Sequence, residues 1–473
     1  MTTYNPITPD IVAKLAQIVG ASNVILDEEK LEAYSHDETP KDQFSGMPEV
    51  IVTPTSTQQV AEIMKLANEH LIPVTPRGAG SGLSGGAIPL HGGILMAFEK
   101  MNKVLDVDLQ NMMIEVQAGI VTNEINATVA DNGLFFAGYP MSLESCQIGG
   151  NIAENAGGGK AIKYGVTERY ITGMEVVTPA GDVIRIGGKI VKDVSGYDLK
   201  RLYIGSEGTL GIVTSATIKL TPLPKAKTDL LVLFPDVQSA IEIVPMIVSQ
   251  LGIIPTSVEF MDRLAVETSC KYLNEHLDYE SCGSMLLIEV DGTTQDQVDG
   301  EAEMIGDLCM EHQAIEVYVA DNYTTQERVW AVRRNIAEAF KVYSPHQSLE
   351  DIVVPIAQIP ALTEEIAKLA AEFNLSMPSY GHAGDGNLHT TLIKPPEMPL
   401  DQWYVVEDQV VRRLYAVVMA LGGKLSGEHG IGIKRKAYFQ EVVDPHELGL
   451  MRTLKRALDP NNILNPGKIF DPA

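Results

Sequence analysis

The sequence predicts an α+β fold of several domains, and three observations carry that prediction. A strand, a helix and a second strand follow one another near residue 50, as in a parallel βαβ unit. From about 94 to 221, short β-rich runs alternate with glycine turns. After Pro222-Leu223-Pro224 the rhythm changes to strands separated by amphipathic helices. At 473 residues the chain exceeds the usual single-domain size, so two or three well-buried cores are expected.

Glu49 to Pro54 reads as a short apolar strand, and Ser56 caps a helix in which Val60, Ile63, Met64 and Leu66 keep helical spacing. Ile72 to Thr75 forms the next strand and runs into Arg77-Gly78-Ala79-Gly80-Ser81-Gly82-Leu83-Ser84-Gly85-Gly86. Such a loop either presents successive backbone N–H groups to a phosphate or is a series of tight turns. It lacks the Gly-Lys-Ser/Thr ending of a Walker loop, and it is no G-x-G-x-x-G opening a helix, so a different dinucleotide fold is expected.

Ile94 to Phe98, Met113 to Ala118, Gly173 to Thr178, Val183 to Ile186 and Gly211 to Leu220 complete the first α+β domain. Strands at about 229–234, 284–290 and 315–319, with helices at about 237–251 and 295–313, suggest a separate two-layer α/β domain. A helix from Leu400 to Leu421 precedes Glu428-His429, and Asp459 to Lys468 is turn-rich. No repeat of fixed period is present.

Composition narrows the partners. A net charge of −26 disfavours nucleic acid and anionic lipid, leaving small molecules or proteins. Cys146, Cys270, Cys282 and Cys309 lack the spacing of an iron–sulfur centre or zinc ribbon and read as free thiols in a reducing compartment. Met1-Thr2-Thr3-Tyr4-Asn5-Pro6 has no leader character, and no apolar run reaches the roughly 18 residues of a membrane span, so a cytoplasmic location is expected.

The densest chemistry lies in Gly381-His382-Ala383-Gly384-Asp385-Gly386-Asn387-Leu388-His389 and Ser426-Gly427-Glu428-His429-Gly430. Three imidazoles and a carboxylate among glycines form a ligand set for Zn, Mn or Fe with a base to spare. The alternative is a pair of loop histidines bonded to backbone; His382 and His389 bracket a turn, which must bend to bring them together.

Pro76-Arg77-Gly78-Ala79-Gly80-Ser81-Gly82, Ile148-Gly149-Gly150-Asn151 and Gly205-Ser206-Glu207-Gly208-Thr209-Leu210-Gly211-Ile212 occur in this order. They are followed by Pro255-Thr256-Ser257-Val258-Glu259-Phe260-Met261-Asp262, both histidine motifs and Asn465-Pro466-Gly467-Lys468. On these motifs the chain resembles, over nearly its whole length, the FAD-linked oxidases and dehydrogenases of the vanillyl-alcohol-oxidase (PCMH) type. Within them it looks most like glycolate oxidase flavoprotein subunits and D-lactate or D-2-hydroxyglutarate dehydrogenases.

The resemblance implies a PCMH-type FAD-binding domain of two α/β subdomains over 1–221 and a ferredoxin-like cap for substrate over 222–425. A C-terminal segment, 426–473, would return to the flavin and metal site. It puts the FAD pyrophosphate on the backbone of Arg77, Gly78, Ala79, Gly80, Ser81 and Gly82, with Ser84 nearby and Pro76 also at the cofactor. Pro140, Ser142, Gly149, Gly150, Asn151, Ala156, Gly157, Gly158 and Ile212 would line the cofactor path, with Glu207, Gly208 and Gly211 of the third motif. Asn465 and Lys468 would fold back beside the flavin, unless that tail is an ordinary surface turn. Relatives with covalent FAD carry a histidine where this chain has Ser81, so FAD is expected to be non-covalent.

The same resemblance implies a divalent metal on His382, His389 and Glu428. His429 is left as candidate general base, an unperturbed imidazole being able to take a proton at neutral pH; it could instead support the site or be a fourth ligand. In Trp330-Ala331-Val332-Arg333-Arg334, Arg333 matches the family's substrate-carboxylate arginine, and Arg334 reads as a surface residue. Leu349-Glu350-Asp351-Ile352-Val353-Val354-Pro355 is acidic where D-2-hydroxyglutarate enzymes carry a lysine, and Thr390-Thr391 stands where they carry an asparagine. Both departures favour a small monocarboxylate.

The expected function is metal-assisted oxidation of a D-2-hydroxy acid, D-lactate to pyruvate first, with hydride passing to flavin N5. Electrons would leave to an electron-transferring flavoprotein or an iron–sulfur subunit. The alternatives are glycolate or D-2-hydroxyglutarate as substrate, another alcohol, or a non-catalytic FAD electron-transfer subunit.

Overall fold

The computed structural model describes residues 3–471, so Met1 and Thr2 of the N-terminal stretch lie outside the described residues. The chain divides into two compact units. One is built from the described residues up to Gly158, from Gly165–Leu223 and from Glu428 onward; the other comprises Gly159–Tyr164 and Pro224–Gly427.

The first unit holds two principal sheets. In the four-stranded one the spatial order is Val24–Ile25, Val50–Val52, Ile94–Ala97, Val74–Arg77; the first pair is antiparallel and the rest parallel. Ser56 caps the helix Thr57–His70 by accepting from Gln59 N, and Val60, Ile63, Met64 and Leu66 bury against the sheet. The expected βαβ unit is present with two corrections. Ile94–Ala97, wholly apolar and buried, lies between its two strands, the place that buries both faces of a parallel strand. Its second strand is Val74–Arg77 rather than 72–75, which makes Pro76 and Arg77 sheet residues.

The five-stranded sheet runs Val104–Asp108, Met113–Gln117, Ile212–Lys219, Ile171–Val177, Val183–Gly187, antiparallel throughout. The C-terminal tail returns to the four-stranded sheet. Leu464 bridges Val74 in parallel, and Asn465 N donates to Val74 O at 2.7 Å.

The second unit is one antiparallel sheet of seven strands in the order Glu316–Ala320, Ala226–Phe234, Ser284–Gly292, Ser257–Asp262, Ser379–His382, Asn387–Ile393, Gln347–Val353. The first four, taken in chain order, stand fourth, first, third, second, the ferredoxin-like arrangement, with helices Val237–Leu251, Arg263–Leu273 and Gln295–Glu311 between them. Asp236, Asp262 and Thr294 cap those helices, each accepting a hydrogen bond from the N–H three residues on. The excursion Gly159–Tyr164 belongs here because Lys160 meets Glu289 at 3.1 Å while Lys163 and Tyr164 both bond Asp291. Ser426 and Gly427 belong here too, both bonded to Asp351.

Among the described residues no helix is long and apolar enough to cross a membrane. All four cysteines are buried free thiols.

Candidate active site: a glycine cradle and a histidine hairpin

In the first unit, the strand Val74–Arg77 releases the chain into the glycine loop at the C-terminal end of a parallel strand, a usual ligand position in α/β sheets. The backbone N–H groups of Gly78 to Leu83 donate to no protein acceptor among the described residues. Gly80 has φ +74°, and a Cβ there would lie 2.1 Å from Arg77 Nη2. At Gly150, in the helix Ile148–Glu154, a Cβ would meet nothing within 4 Å, and at Gly82 only Asp37 Oδ2 at 4.0 Å. Unclaimed N–H donors beside glycines with open Cβ directions suit an anion as large as a pyrophosphate.

Several residues expected at the cofactor also take part in the scaffold. Arg77 turns back, its Nη1 donating to His36 O at 2.7 Å and its guanidinium lying over Tyr34. Ser84 Oγ donates to Glu154 Oε1 at 3.2 Å, and Asn151 Nδ2 donates to Thr122 Oγ1 at 2.8 Å. Gly149 closes on Ala118, and Gly211 on Tyr203 and Val176. Gly208 faces Pro76, and Ile212 opens its strand in the core. Gly158 sits on Tyr139 and Pro140, Ser142 O caps a turn by accepting from Cys146 N, and Ala156 O accepts from Thr167 N. Gly157 is 3.6 Å, by its absent Cβ, from Glu428 Oε2. Ser81 and Ala79 remain on the open rim of the loop. Asn465 Nδ2 bonds Gly86 O and Glu207 O, and Lys468 Nζ bonds Ile88 O at 2.6 Å, so the tail does close over this loop.

Glu207 has a role the sequence did not disclose. At φ +52° its buried carboxylate accepts from Ile431 N at 2.8 Å and Gly432 N at 2.7 Å, just past His429. Ser84 O takes the next two N–H groups, of Ile433 and Lys434, and Arg435 Nη1 donates to Gly430 O. Glu154 is packed beside this segment, where burial, reinforced by the charge of Glu207, pushes its carboxyl well above the usual range. Glu428 and His429 thus ride on a segment pinned by buried acids, with His429 Nε2 3.8 Å from Glu428 Oε1.

In the second unit the two histidines are strand residues, not loop residues. His382 ends Ser379–His382 and His389 lies in Asn387–Ile393; the two strands form a hairpin pairing Tyr380 with His389 and His382 with Asn387. Side chains two positions apart share a sheet face, and the imidazole centroids stand 5.5 Å apart at 80°. Gly386, at φ +85° with Val354 O 2.1 Å from its would-be Cβ, makes the tight turn.

Sheet register then puts a carboxylate opposite each ring. Glu259 pairs with His382 from one neighbouring strand, and Asp351 pairs with His389 from the other. Glu259 Oε1 is 2.7 Å from His382 Nδ1, and Asp351 Oδ1 is 3.7 Å from His389 Nε2. Arg333 Nε donates to Glu259 Oε2 at 2.8 Å, with Nη2 2.6 Å from the same oxygen. Burial drives Glu259 upward, but His382 and Arg333 overcome it and hold the carboxylate at about 2. A histidine whose second nitrogen is fixed by a carboxylate is the common form of a metal-ligating imidazole, and His382 has that form, whereas Asp351 stands beyond hydrogen-bond distance of His389 Nε2. Arg334, by contrast, pairs on the surface with Glu327.

The acidic segment reads differently in three dimensions. Glu350 bonds Ser348 Oγ and Tyr415 OH, and Asp351 accepts from Asn387 Nδ2, Ser426 Oγ and Gly427 N. Both carboxylates are buried and hydrogen-bonded to neutral donors rather than exposed. Glu259 and Asp351 were the functional residues that sequence reasoning passed over. An acid inside the apolar run Ser257-Val258-Glu259-Phe260-Met261 was the signal available for the first.

Comparison with known proteins gives a consistent result. Residues 223–469 match the family described as FAD linked oxidases, C-terminal domain, and residues 48–187 match the FAD binding domain. Glycolate oxidase subunit GlcD of Bacillus subtilis (strain 168) is 38% identical over 467 residues, covering 98% of this chain and 97% of its own. D-lactate dehydrogenase of Anaerostipes hadrus is 36% identical, covering 98% of each. D-2-hydroxyglutarate dehydrogenase of Stutzerimonas stutzeri is 32% identical, covering 98% and 99%. Among solved structures, p-cresol methylhydroxylase superposes with TM-score 0.78 at 19% identity, covering 100% of this chain and 99% of that one. An alkyldihydroxyacetonephosphate synthase gives 0.77 at 21%, covering 98% and 87%. At those identities the two structures share the fold alone.

Proposed function

The chain belongs to the FAD-linked oxidases, and from that premise we propose that it oxidises a small D-2-hydroxy acid, D-lactate first, and passes the electrons to a separate protein. It is an FAD-linked oxidoreductase of the branch that contains glycolate oxidase subunits and D-lactate and D-2-hydroxyglutarate dehydrogenases. The observation that carries the finer reading is the register that sets Glu259 and Asp351 opposite His382 and His389. Bound FAD supplies a hydride acceptor and a bound divalent cation supplies a Lewis acid.

In this reading His382 and His389 would hold the cation, with Glu428 as the third ligand that the family resemblance implies. Arg333 orients the substrate through its carboxylate, for which a guanidinium fork is suited. His429 takes the hydroxyl proton as the α-hydrogen leaves with its electron pair, and Glu207 and Arg435 keep its segment in place. The FAD pyrophosphate rests on the N–H groups of Gly78 to Gly82, held without a covalent bond because Ser81 cannot supply one. The electrons leave to an external flavoprotein or iron–sulfur protein in this reading, which the name of the glycolate oxidase subunit among the relatives supports.

One observation favours a second substrate. A D-2-hydroxyglutarate dehydrogenase stands among the relatives at 32% identity, so D-2-hydroxyglutarate stays beside D-lactate and glycolate as a candidate. The test is anaerobic mixing of metal-replete protein with D-lactate, L-lactate, glycolate and D-2-hydroxyglutarate, following flavin absorbance near about 450 nm before and after chelation. Bleaching by a D-acid that chelation abolishes supports the reading. Bound flavin that no hydroxy acid bleaches overturns it and points to an electron-transfer subunit.

A further inference from the structure

Glu259 meets three side chains of the second unit, and these partners belong to two different jobs. Its side chain is fully buried. Oε1 lies 2.7 Å from His382 Nδ1 and accepts from Ser257 Oγ at 3.1 Å, while Oε2 accepts from Arg333 Nε at 2.8 Å. Arg333 is itself buried and lies over the Tyr380 ring, so its guanidinium plane is fixed on a second side. Gly159 closes the remaining approach: a Cβ there would stand 2.4 Å from Glu259 Oε1. That position must be glycine for the carboxylate to keep its place.

We propose that Glu259 is a positioning residue that sets the metal-ligating face of His382 and the anion-binding edge of Arg333 at the same time. The inference rests on the metal and substrate reading above. A carboxylate beside Nδ1 holds the proton on that nitrogen and leaves Nε2 as the donor to a cation, because neutral imidazole carries one proton only. The same carboxylate accepts from Nε of Arg333 and stands 2.6 Å from Nη2, which anchors that edge of the guanidinium and leaves the other Nη to a substrate carboxylate. One side chain therefore couples cation affinity to substrate affinity, although it touches neither ligand.

The coupling is tested with Glu259→Gln, nearly isosteric, and with Gly159→Ala, which crowds the carboxylate and removes no charge. The Mn(II) dissociation constant is measured by electron paramagnetic resonance without substrate, alongside FAD content and KM and kcat for the acid that bleaches the wild-type flavin. Glu259→Gln is expected to weaken Mn(II) binding by about 10- to 100-fold, the usual cost of losing such a support, and to raise KM with FAD content unchanged. Gly159→Ala should move both constants in the same direction by less. An Mn(II) affinity in Glu259→Gln equal to wild type overturns this proposal and leaves the metal reading standing. A wild-type protein that binds no Mn(II) overturns both. Loss of affinity with KM unmoved restricts Glu259 to His382 and overturns the coupling.

Discussion

His429 and the glycine after it bear unequal burdens, and each can be tested alone. If His429 carries the proton, His429→Gln keeps the bulk and hydrogen bonding of the ring but cannot become a cation. Turnover should fall by about 10²- to 10⁴-fold, the range general-base catalysis contributes, with FAD content and substrate KM little changed in steady-state assays. Gly430 acts through space. At φ +84° its would-be Cβ lies 2.1 Å from Glu154 Oε2, so Gly430→Ala must strain the backbone and push a buried acid that already crowds Glu207. We expect Gly430→Ala to lower kcat through a displaced His429, and Gly430→Ala with Glu154→Ala to recover part of it. A double variant no better than the single one would show that backbone strain, not the acid, sets the position.

At the scale of elements, the hairpin Ser379–His382 and Asn387–Ile393 decides whether the histidines converge. Gly386→Ala places a Cβ 2.1 Å from Val354 O at φ +85°, and a cost of roughly 1–3 kcal/mol follows from the clash and the left-handed backbone. Thermal unfolding should shift downward and Mn(II) affinity should drop together; stability lost with affinity kept would mean that the strands, not the turn, fix the rings. The sequence displayed this site unevenly. The glycine loop was legible because glycines after an apolar strand have few other uses. The hairpin was read as a loop, because Ser379-Tyr380-Gly381-His382 is four polar or small residues with no alternation of apolar side chains. Its strands are buried on both faces, so tertiary packing overrides local propensity. Helices Val237–Leu251 and Gln295–Glu311 carried readable apolar spacing, for instance Ile241, Val244 and Ile247. Glu259 and Asp351 were harder, since a carboxylate's partner is set by strand register, and register is a property of the sheet rather than of any one segment.

Over the whole molecule the balance is 36 basic against 62 acidic residues, giving −26, and charge repulsion makes the compact state less stable as the last carboxyls ionise. One buried acid should dominate that trend in the second unit. Asp229 accepts from Trp330 Nε1 at 3.0 Å, and burial, with the nearby charge of Glu289, pushes its carboxyl up to about 7. Its unfolded value lies near about 3.9, so between these limits the folded chain holds a proton that the unfolded chain has released. Stability from this group is therefore full below about pH 4 and is lost as pH rises through about 7. Asp229→Asn copies the neutral acid, can still accept from Trp330, and places an N–H toward Glu289. Denaturant unfolding at several pH values should show Asp229→Asn more stable than wild type by roughly 1–4 kcal/mol at pH 8, a gap that narrows as pH falls and closes only toward about pH 4. A gap that stays constant with pH would assign the effect to packing instead of ionisation, and a variant less stable at pH 8 would mean that Lys227, near Asp229 and Glu289, keeps the wild-type acid charged.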